Sequence, residues 1–496
     1  MTLLHLTYLM PEIMLIVGIC ILLIGDLYVE KHFEWFCYFL AELLILMVLY
    51  LLYNLWPTEH LIFFDGMFVL DNFSIIIKMV LLALTFVIFA YSWPYLKARE
   101  QARGEYFVLC LCSVLGMMLL VSSTHFLSLY LSIELLVLPV YALIARFKEQ
   151  TEAIEAAMKY FVMGAIASGM MLYGISLLYG LTGELNFHQI AVALGQAGAG
   201  DTPRIAVLLG MVLVIAGIAF KLGAVPFHMW IPDVYQGAAV CMTLFIAVLP
   251  KIAGVAMAIR VFEGAFVLLQ EGVQHVLIFL IVASLVVGNL GAILQKNVKR
   301  LLGYSAIAHV GFLFMGLLVG KAVGEAGGAY GYGYGPLLTY IFIYALIIMA
   351  AFAVLILLSR HHVECEQLQD LQGLSERHPL LAFLMLVVMF SLAGVPPTIG
   401  FYAKFAVLKA VVDAGYVWLA VFGLAWTVVG AFYYLKVVKV MYFEAPVKEP
   451  FPFAKGNGFD HFDNTAVSLS LLHGIALVGL GIFPAPVLRV VGWALG

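Results

Sequence analysis

The sequence predicts an all-α polytopic membrane protein of about fourteen transmembrane helices, two of them broken. Three observations predict it. Of the 496 residues, 65% are hydrophobic and only 11% are charged, too little polar surface for a soluble domain of this length. Apolar runs of about twenty residues, each enough to cross roughly 30 Å of hydrocarbon, recur from one end to the other. Basic residues gather in every second connecting loop, as the positive-inside rule requires.

The first run, Tyr8 to Tyr28, has no basic leader and no small-residue cleavage site, so it reads as a retained helix rather than a removable signal. Hydrophobicity then places spans at Phe36–Leu55, Ile75–Tyr95, Tyr106–Ser122, His125–Ala145 and Met158–Leu181. Ile205–Val225, Ala238–Val261, Val273–Leu294, Leu301–Gly320 and Leu337–Ser359 follow. The last three are Leu380–Val411, Trp418–Tyr442 and Ala466–Val491, the first of these interrupted. An even count puts both termini on the same side.

Alternate loops carry Lys31; Lys97, Arg99 and Arg103; Arg146 and Lys148; Lys296, Lys299 and Arg300; Arg360 and Arg377; Lys436, Lys439, Lys448 and Lys455. The opposite loops hold only Arg204, Arg260, Lys321, Lys409 and Arg489. The rich side is expected to be cytoplasmic and both termini periplasmic. Without a transit peptide, a bacterial inner membrane is the favoured location, although an organelle-encoded chain would lack one too.

Two helices look interrupted, one through Gly223-Ala224-Val225-Pro226 and the other through Gly394-Val395-Pro396-Pro397. Proline removes an internal hydrogen bond, and such breaks occur in membranes only where protein or water satisfies the freed groups. Paired interrupted helices in two halves mark repeat-built transporters. The Gly-rich stretch Gly324–Gly335 has Gly-Tyr-Gly steps but no pore helix or Thr-Val lead-in, so it is expected to be a flexible loop.

Other classes are disfavoured. The six cysteines form no CxxC pair and most lie in apolar runs, which suits buried thiols rather than iron–sulfur or zinc sites. There is no Walker motif and no GxGxxG between strand and helix, and no concentrated basic face for nucleic acid. Redox energy would have to arrive from another chain.

Charges inside the spans carry the functional signal. Glu134 lies about ten residues from either end of its helix, ~15 Å from each surface, where a charge needs protein, water or a partner. Lys221 precedes the first break, Lys251 follows Pro250 in the next helix, Lys404 follows the second break, and His309 is central in its own span. His228 lies within the first break. Lys78 and Lys159, nearer helix ends, are expected to snorkel. Burial destabilises an ammonium by several units of pKa, which brings a lysine into a range where it can store and release a proton. A glutamate ~4 Å from a lysine would gain roughly 4 kcal/mol at an effective dielectric near 20, about what desolvation removes. Such a balanced Glu134–Lys221 pair would suit a switch.

The segments Ile133-Glu134-Leu135-Leu136, Phe220-Lys221-Leu222-Gly223-Ala224-Val225-Pro226-Phe227-His228-Met229-Trp230 and Val298-Lys299-Arg300-Leu301-Leu302-Gly303-Tyr304-Ser305-Ala306-Ile307-Ala308-His309 resemble the antiporter-like subunits of respiratory complex I. The resemblance covers nearly the whole chain. Its length leaves no room for the long C-terminal helix of the L group, and Lys404 stands where the M group carries a glutamate, so the resemblance is to the N group.

That resemblance implies two inverted five-helix repeats, each with a broken helix, over residues 106–262 and 273–443. Flanking helices would occupy 1–105, and 444–496 would form a loop and the last helix. It implies a midplane axis with Glu134 and Lys221 as coupling pair, Lys251 as central relay and Lys404 as terminal carrier, joined by His228 and His309. It implies proton translocation within an NADH–quinone oxidoreductase, with NADH, FMN, iron–sulfur clusters and quinone bound by partner subunits and none here. Subunits M and K are the expected neighbours in the bilayer. A subunit of a multi-chain sodium/proton antiporter would share the same helices and charges, and a purely structural anchor would make the charges dispensable.

Overall fold

The computed structural model describes residues 7–28, 34–56, 60–101, 103–196, 204–266, 270–320, 333–359, 364–446 and 464–496. Residues 324–332 of the Gly-rich stretch lie outside the described residues, as do Lys31, Lys321, Arg360, Lys448, Lys455 and the side chain of Arg204.

Helices α1 (Met10–Tyr28) and α2 (Glu34–Leu55) lead to a short hairpin of β1 (Leu61–Phe63) and β2 (Phe68–Leu70). Then come α3 (Asn72–Ala98), α4 (Gly104–Val121), α5 (Phe126–Ala145), α6 (Thr151–Thr182) and the short α7 (Phe187–Gln196). The first interrupted helix is α8 (Arg204–Leu222) plus α9 (Trp230–Gly237), followed by α10 (Val240–Gly264), α11 (Gln270–Ile293), α12 (Val298–Val319) and α13 (Tyr334–Leu358). After the single-turn α14 (Leu374–Arg377), the second interrupted helix is α15 (Pro379–Ala393) plus α16 (Ile399–Asp413). The chain closes with α17 (Val417–Phe443), α18 (Asn464–Ile482) and α19 (Ala485–Leu495).

Among the described residues, twelve helices are long and apolar enough to cross a membrane, or thirteen if α18 and α19 form one span. Polar residues start several of them. Asp71 accepts the Ser74 N–H at 2.8 Å while Ser74 accepts the Asp71 N–H at 3.0 Å, a reciprocal cap on α3. Asn297 caps α12 through the Arg300 N–H at 3.0 Å. The most hydrophobic stretches of α10 and α13 are each 94% buried and that of α12 is 89% buried, whereas those of α1, α6 and α17 are 33% buried. The first three therefore form the centre of the bundle, and the others present apolar faces outward.

Both interruptions close in the same way. Gly223 has φ +84°, and the N–H groups of Gly223 and Ala224 both reach the Ala219 carbonyl at 2.8 Å. Gly394 has φ +83°, and the N–H groups of Gly394 and Val395 reach the Phe390 carbonyl at 2.9 and 3.0 Å. A left-handed glycine ends each half-helix because a Cβ is disfavoured there. The Val225 N–H, freed by the break, donates to Ser284 of α11 at 3.0 Å. Protein thus replaces the missing helical bond.

Four expectations need correction. The helical architecture includes a small hairpin, whose three-residue strands are too short to register in a hydrophobic window. The last span is not one helix: α18 and α19 meet at 80°, with Pro484 between them. Lys78 does not snorkel; it is fully buried and pairs with Glu12 of α1 at 2.7 Å. Lys299 is not a loop residue but lies 1% exposed in the first turn of α12.

Candidate functional site

Helix α10 continues through Pro250 and sets Lys251 in the core, 2% exposed. Its ammonium has no hydrogen-bond partner among the described residues and lies 5.3 Å from the centre of the Tyr344 ring on α13. That ring is 5.0 Å from His309 of α12. His309 Nδ1 is 2.6 Å from the Tyr340 hydroxyl and Nε2 is 3.1 Å from the Tyr434 hydroxyl of α17. Phe312 stacks on Tyr340 at 5.8 Å, and the Lys404 ammonium sits 5.6 Å over the Phe312 ring.

Lys404 shows why the second break matters. Its ammonium donates to the Leu392 carbonyl at 2.7 Å and the Ala393 carbonyl at 3.1 Å, the last acceptors of α15. A helix end leaves its final carbonyls unsatisfied and partly negative, so the break builds a cation seat inside the bundle. Lys251, Tyr344, His309, Tyr340, Phe312 and Lys404 thereby form one buried lane across α10, α13, α12 and α16. Two amines and an imidazole can each take up and release a proton and the hydroxyls can relay one, while the aromatic faces carry no proton but stabilise the cations.

The other predicted residues do not join this lane so closely. The Lys221 ammonium is buried without a hydrogen-bond partner among the described residues, although its side chain as a whole is half-buried. Glu134 lies on α5 between Leu131 and Leu138, which are 59% and 54% exposed, and it accepts from Ser168 of α6 at 2.7 Å. No hydrogen bond joins Glu134 to Lys221: the carboxylate is held by Ser168 and the ammonium has no partner among the described residues, so the expected contact pair is not formed in this structure. Depth along α5 was readable in the sequence; the side of the helix on which Glu134 stands was not. His228 is half-buried in the link after the first break, and its Nδ1 has no partner among the described residues.

A second polar group brackets the α9 half-helix. Lys299 donates to Glu366 at 2.5 Å, Glu364 at 3.2 Å and the Ala238 carbonyl at 2.8 Å, and the Tyr95 hydroxyl donates to Glu364. Burial alone would raise the Glu364 carboxyl, but the Lys299 ammonium overrides it and holds it below the ordinary range. Asp233 of α9 pairs with Arg300 at 2.6 Å and with Lys159 of α6 at 2.9 Å, around a cavity of about 150 Å³. Lys159 is 43% exposed and so stays at the surface, fixed by carboxylates rather than by solvent alone.

Sequence reasoning missed the hydroxyls. Tyr340 and Tyr344 are one turn apart on α13, as are Ser305 and His309 on α12, a spacing that could have marked a polar stripe. Buried His473 of α18, 3.4 Å from Tyr91, also went unnoticed. Among the described residues, no group of three or more His, Cys, Asp or Glu could hold a metal. The six cysteines are free, and Cys20 is exposed rather than buried.

Residues 123–430 match the family described as NADH:quinone oxidoreductase/Mrp antiporter, TM. NADH-quinone oxidoreductase subunit N of Thioalkalivibrio sulfidiphilus is 45% identical over 475 residues, covering 96% of this chain and 95% of that one. The subunit N of Acidithiobacillus ferrooxidans is 43% identical, covering 99% and 98%. A chain of respiratory complex I from Thermus thermophilus superimposes with a TM-score of 0.78 at 31% identity, covering 97% and 99%. A chain of the Mrp complex from Dietzia sp. shares the fold, with a TM-score of 0.82 at 19% identity over 100% and 97% of the two chains.

Proposed function

Because the chain belongs to the NADH:quinone oxidoreductase/Mrp antiporter transmembrane family, on its subunit N branch, we propose that the lane from Lys251 through His309 to Lys404 carries protons driven by quinone reduction in partner subunits. The chain is a proton-translocating membrane-arm subunit of an NADH–quinone oxidoreductase. The observation that carries the proposed path is the buried run of basic and hydroxyl groups between two lysines, one seated on the open end of a broken helix.

On this reading Lys251 is the central relay and Lys404 the terminal carrier. Glu134 and Lys221 sense the redox event from a neighbour, and His228 serves the link of the first break. The outward half-exposure of Glu134 fits a residue that answers a charge on an adjoining subunit, for which K and M are the candidates. NADH, FMN, iron–sulfur clusters and quinone belong to other subunits.

We also assign fourteen crossings, counting each interrupted helix once, in two inverted repeats at 106–262 and 273–443 flanked by 1–105 and 444–496. Two features support the repeats. A Cβ on Gly116 would lie 2.5 Å from the Leu136 backbone nitrogen, and one on Gly288 would lie 2.5 Å from that of Ala308, the second pair displaced by 172 positions from the first (288 against 116, 308 against 136). The two glycine-capped breaks are displaced by 171 (394 against 223). The loop charges favour both termini periplasmic, and the bacterial relatives favour a bacterial inner membrane.

NADH-driven proton uptake in inverted vesicles bearing Lys221→Ala, with assembly checked alongside, tests the coupling role. Loss of uptake in a fully assembled complex supports it. Unchanged uptake makes Lys221 structural, and NADH-independent sodium exchange would move the antiporter reading ahead.

A further inference from the structure

His309 has a tyrosine on each nitrogen, Tyr340 at 2.6 Å and Tyr434 at 3.1 Å, and the Tyr434 hydroxyl is 2.5 Å from the Ser305 hydroxyl. A neutral imidazole has one donor and one acceptor nitrogen, while a hydroxyl can donate once and accept twice. Two arrangements therefore satisfy every partner. In one, Tyr340 donates to Nδ1, Nε2–H donates to Tyr434, and Tyr434 donates to Ser305. In the other, each of these bonds is reversed.

Tyr433, whose ring lies 4.3 Å from that of Tyr434, has a fixed polarity. It donates to Asn289 Oδ1 at 3.3 Å, because the Asn289 amide donates to the Leu285 carbonyl at 2.8 Å. Tyr433 therefore has no proton to give Tyr434, which leaves Ser305 as the reversible end. No carboxylate touches His309 among the described residues; the charges acting on it are Lys404 and Lys251. An imidazolium here would lack a counter-ion, whereas tautomer exchange moves a proton without charging the ring.

Resting on the proton-carrying lane proposed above, we infer that Tyr340, Tyr434 and Ser305 are relay residues, and that His309 passes protons by exchanging tautomers between the two tyrosines. The step balances. In the direction of the lane, starting from the second arrangement, Ser305 takes one proton from a hydronium and its former proton bonds to Tyr434. The former Tyr434 proton bonds to Nε2, the Nδ1 proton moves to Tyr340, and the former Tyr340 proton passes through a bridging water to a neutral Lys404. Lys404 becomes an ammonium, His309 has changed tautomer, and the chain of bonds has reversed. No electron moves.

The test uses the assembled complex in proteoliposomes, with Tyr340→Phe, Tyr434→Phe, Ser305→Ala and Ser305→Thr, and Lys251→Met as reference. The readouts are protons taken up per NADH and the slowing of uptake in heavy water. Each phenylalanine variant is expected to pump at least threefold more slowly. Ser305→Ala should pump more slowly too, with Ser305→Thr restoring uptake because it keeps the hydroxyl. Loss in Ser305→Ala without recovery in Ser305→Thr would indicate packing and overturn the inference. If Tyr434→Phe fails to assemble, the serine pair decides. Normal pumping in these variants with loss in Lys251→Met would overturn the tautomer relay and leave the lane intact. Normal pumping in Lys251→Met would overturn the lane itself.

Discussion

Glu12→Gln removes the only carboxylate bonded to Lys78 among the described residues, whose side chain is 0% exposed. The two groups are 2.7 Å apart, the Glu12 side chain is 6% exposed, and the ammonium otherwise faces the Phe68 ring at 4.7 Å. A glutamine keeps the shape but not the charge. Breaking a buried pair in this way costs about 3–5 kcal/mol, because it strands an uncompensated ion. At roughly 1.4 kcal/mol per factor of ten, that is two to nearly four powers of ten in the packed population. Replacing both partners, Glu12→Gln with Lys78→Met, removes the ion altogether and should recover most of the loss. The assay is retention of this chain in the solubilised complex on native gels after graded heating, for the two single variants and the double. If Glu12→Gln withstands heating as the parent does, or if the double variant is no better than the single, the pair does not hold α1 to α3 as argued.

Gly223→Ala should destabilise the first break by about 1–2 kcal/mol, since its φ of +84° disfavours a Cβ and the new carbon would meet Ile231. Gly169→Ala, helical with open space around it, should be neutral or slightly stabilising, and the two can be compared by assembled yield. Asp71, bound to Arg260 at 2.7 Å, titrates at about 2: burial alone would raise it, but the Arg260 charge and its hydrogen bonds prevail. A depressed carboxylate contributes stability that is present above about pH 4 and lost as pH falls through about 2. Asp71→Asn should therefore cost about 2 kcal/mol at neutral pH and abolish that acid-dependent part, measured as heat tolerance of the complex against pH.

The central residues were legible because depth in an apolar run is visible in a linear sequence. Lys251, His309 and Lys404 lie where a charge is costly, and all three are buried near one another. Azimuth was not legible: the polar residues of α5, among them Ser128, Tyr130 and Ser132, mark no single face, so nothing indicated that Glu134 would stand on the side of Leu131 and Leu138. Lys78 was misjudged for a related reason. Its place near the start of α3 suggested solvent, but Glu12 from a helix far away in sequence meets it in the interior. Lys299 followed the same logic, with Glu364 and Glu366 brought in after α13. The hydroxyl clamp on His309 was hidden among 25 tyrosines, most of which could as well be packing residues. The interruptions were readable from Gly and Pro, whereas the seat they make for Lys404 depends on the carbonyls of Leu392 and Ala393 in three dimensions.

Lys404→Met tests the central claim most directly, because it removes the titratable group seated on the α15 carbonyls while keeping a long apolar stem. Protons pumped per NADH oxidised should be measured with the purified, fully assembled complex in proteoliposomes. A lower ratio than in the parent complex is expected, and Lys404→Arg should stay low as well, because a guanidinium keeps the charge but does not release a proton. A parental ratio in Lys404→Met would contradict the claim and leave the buried lane a structural feature of the bundle.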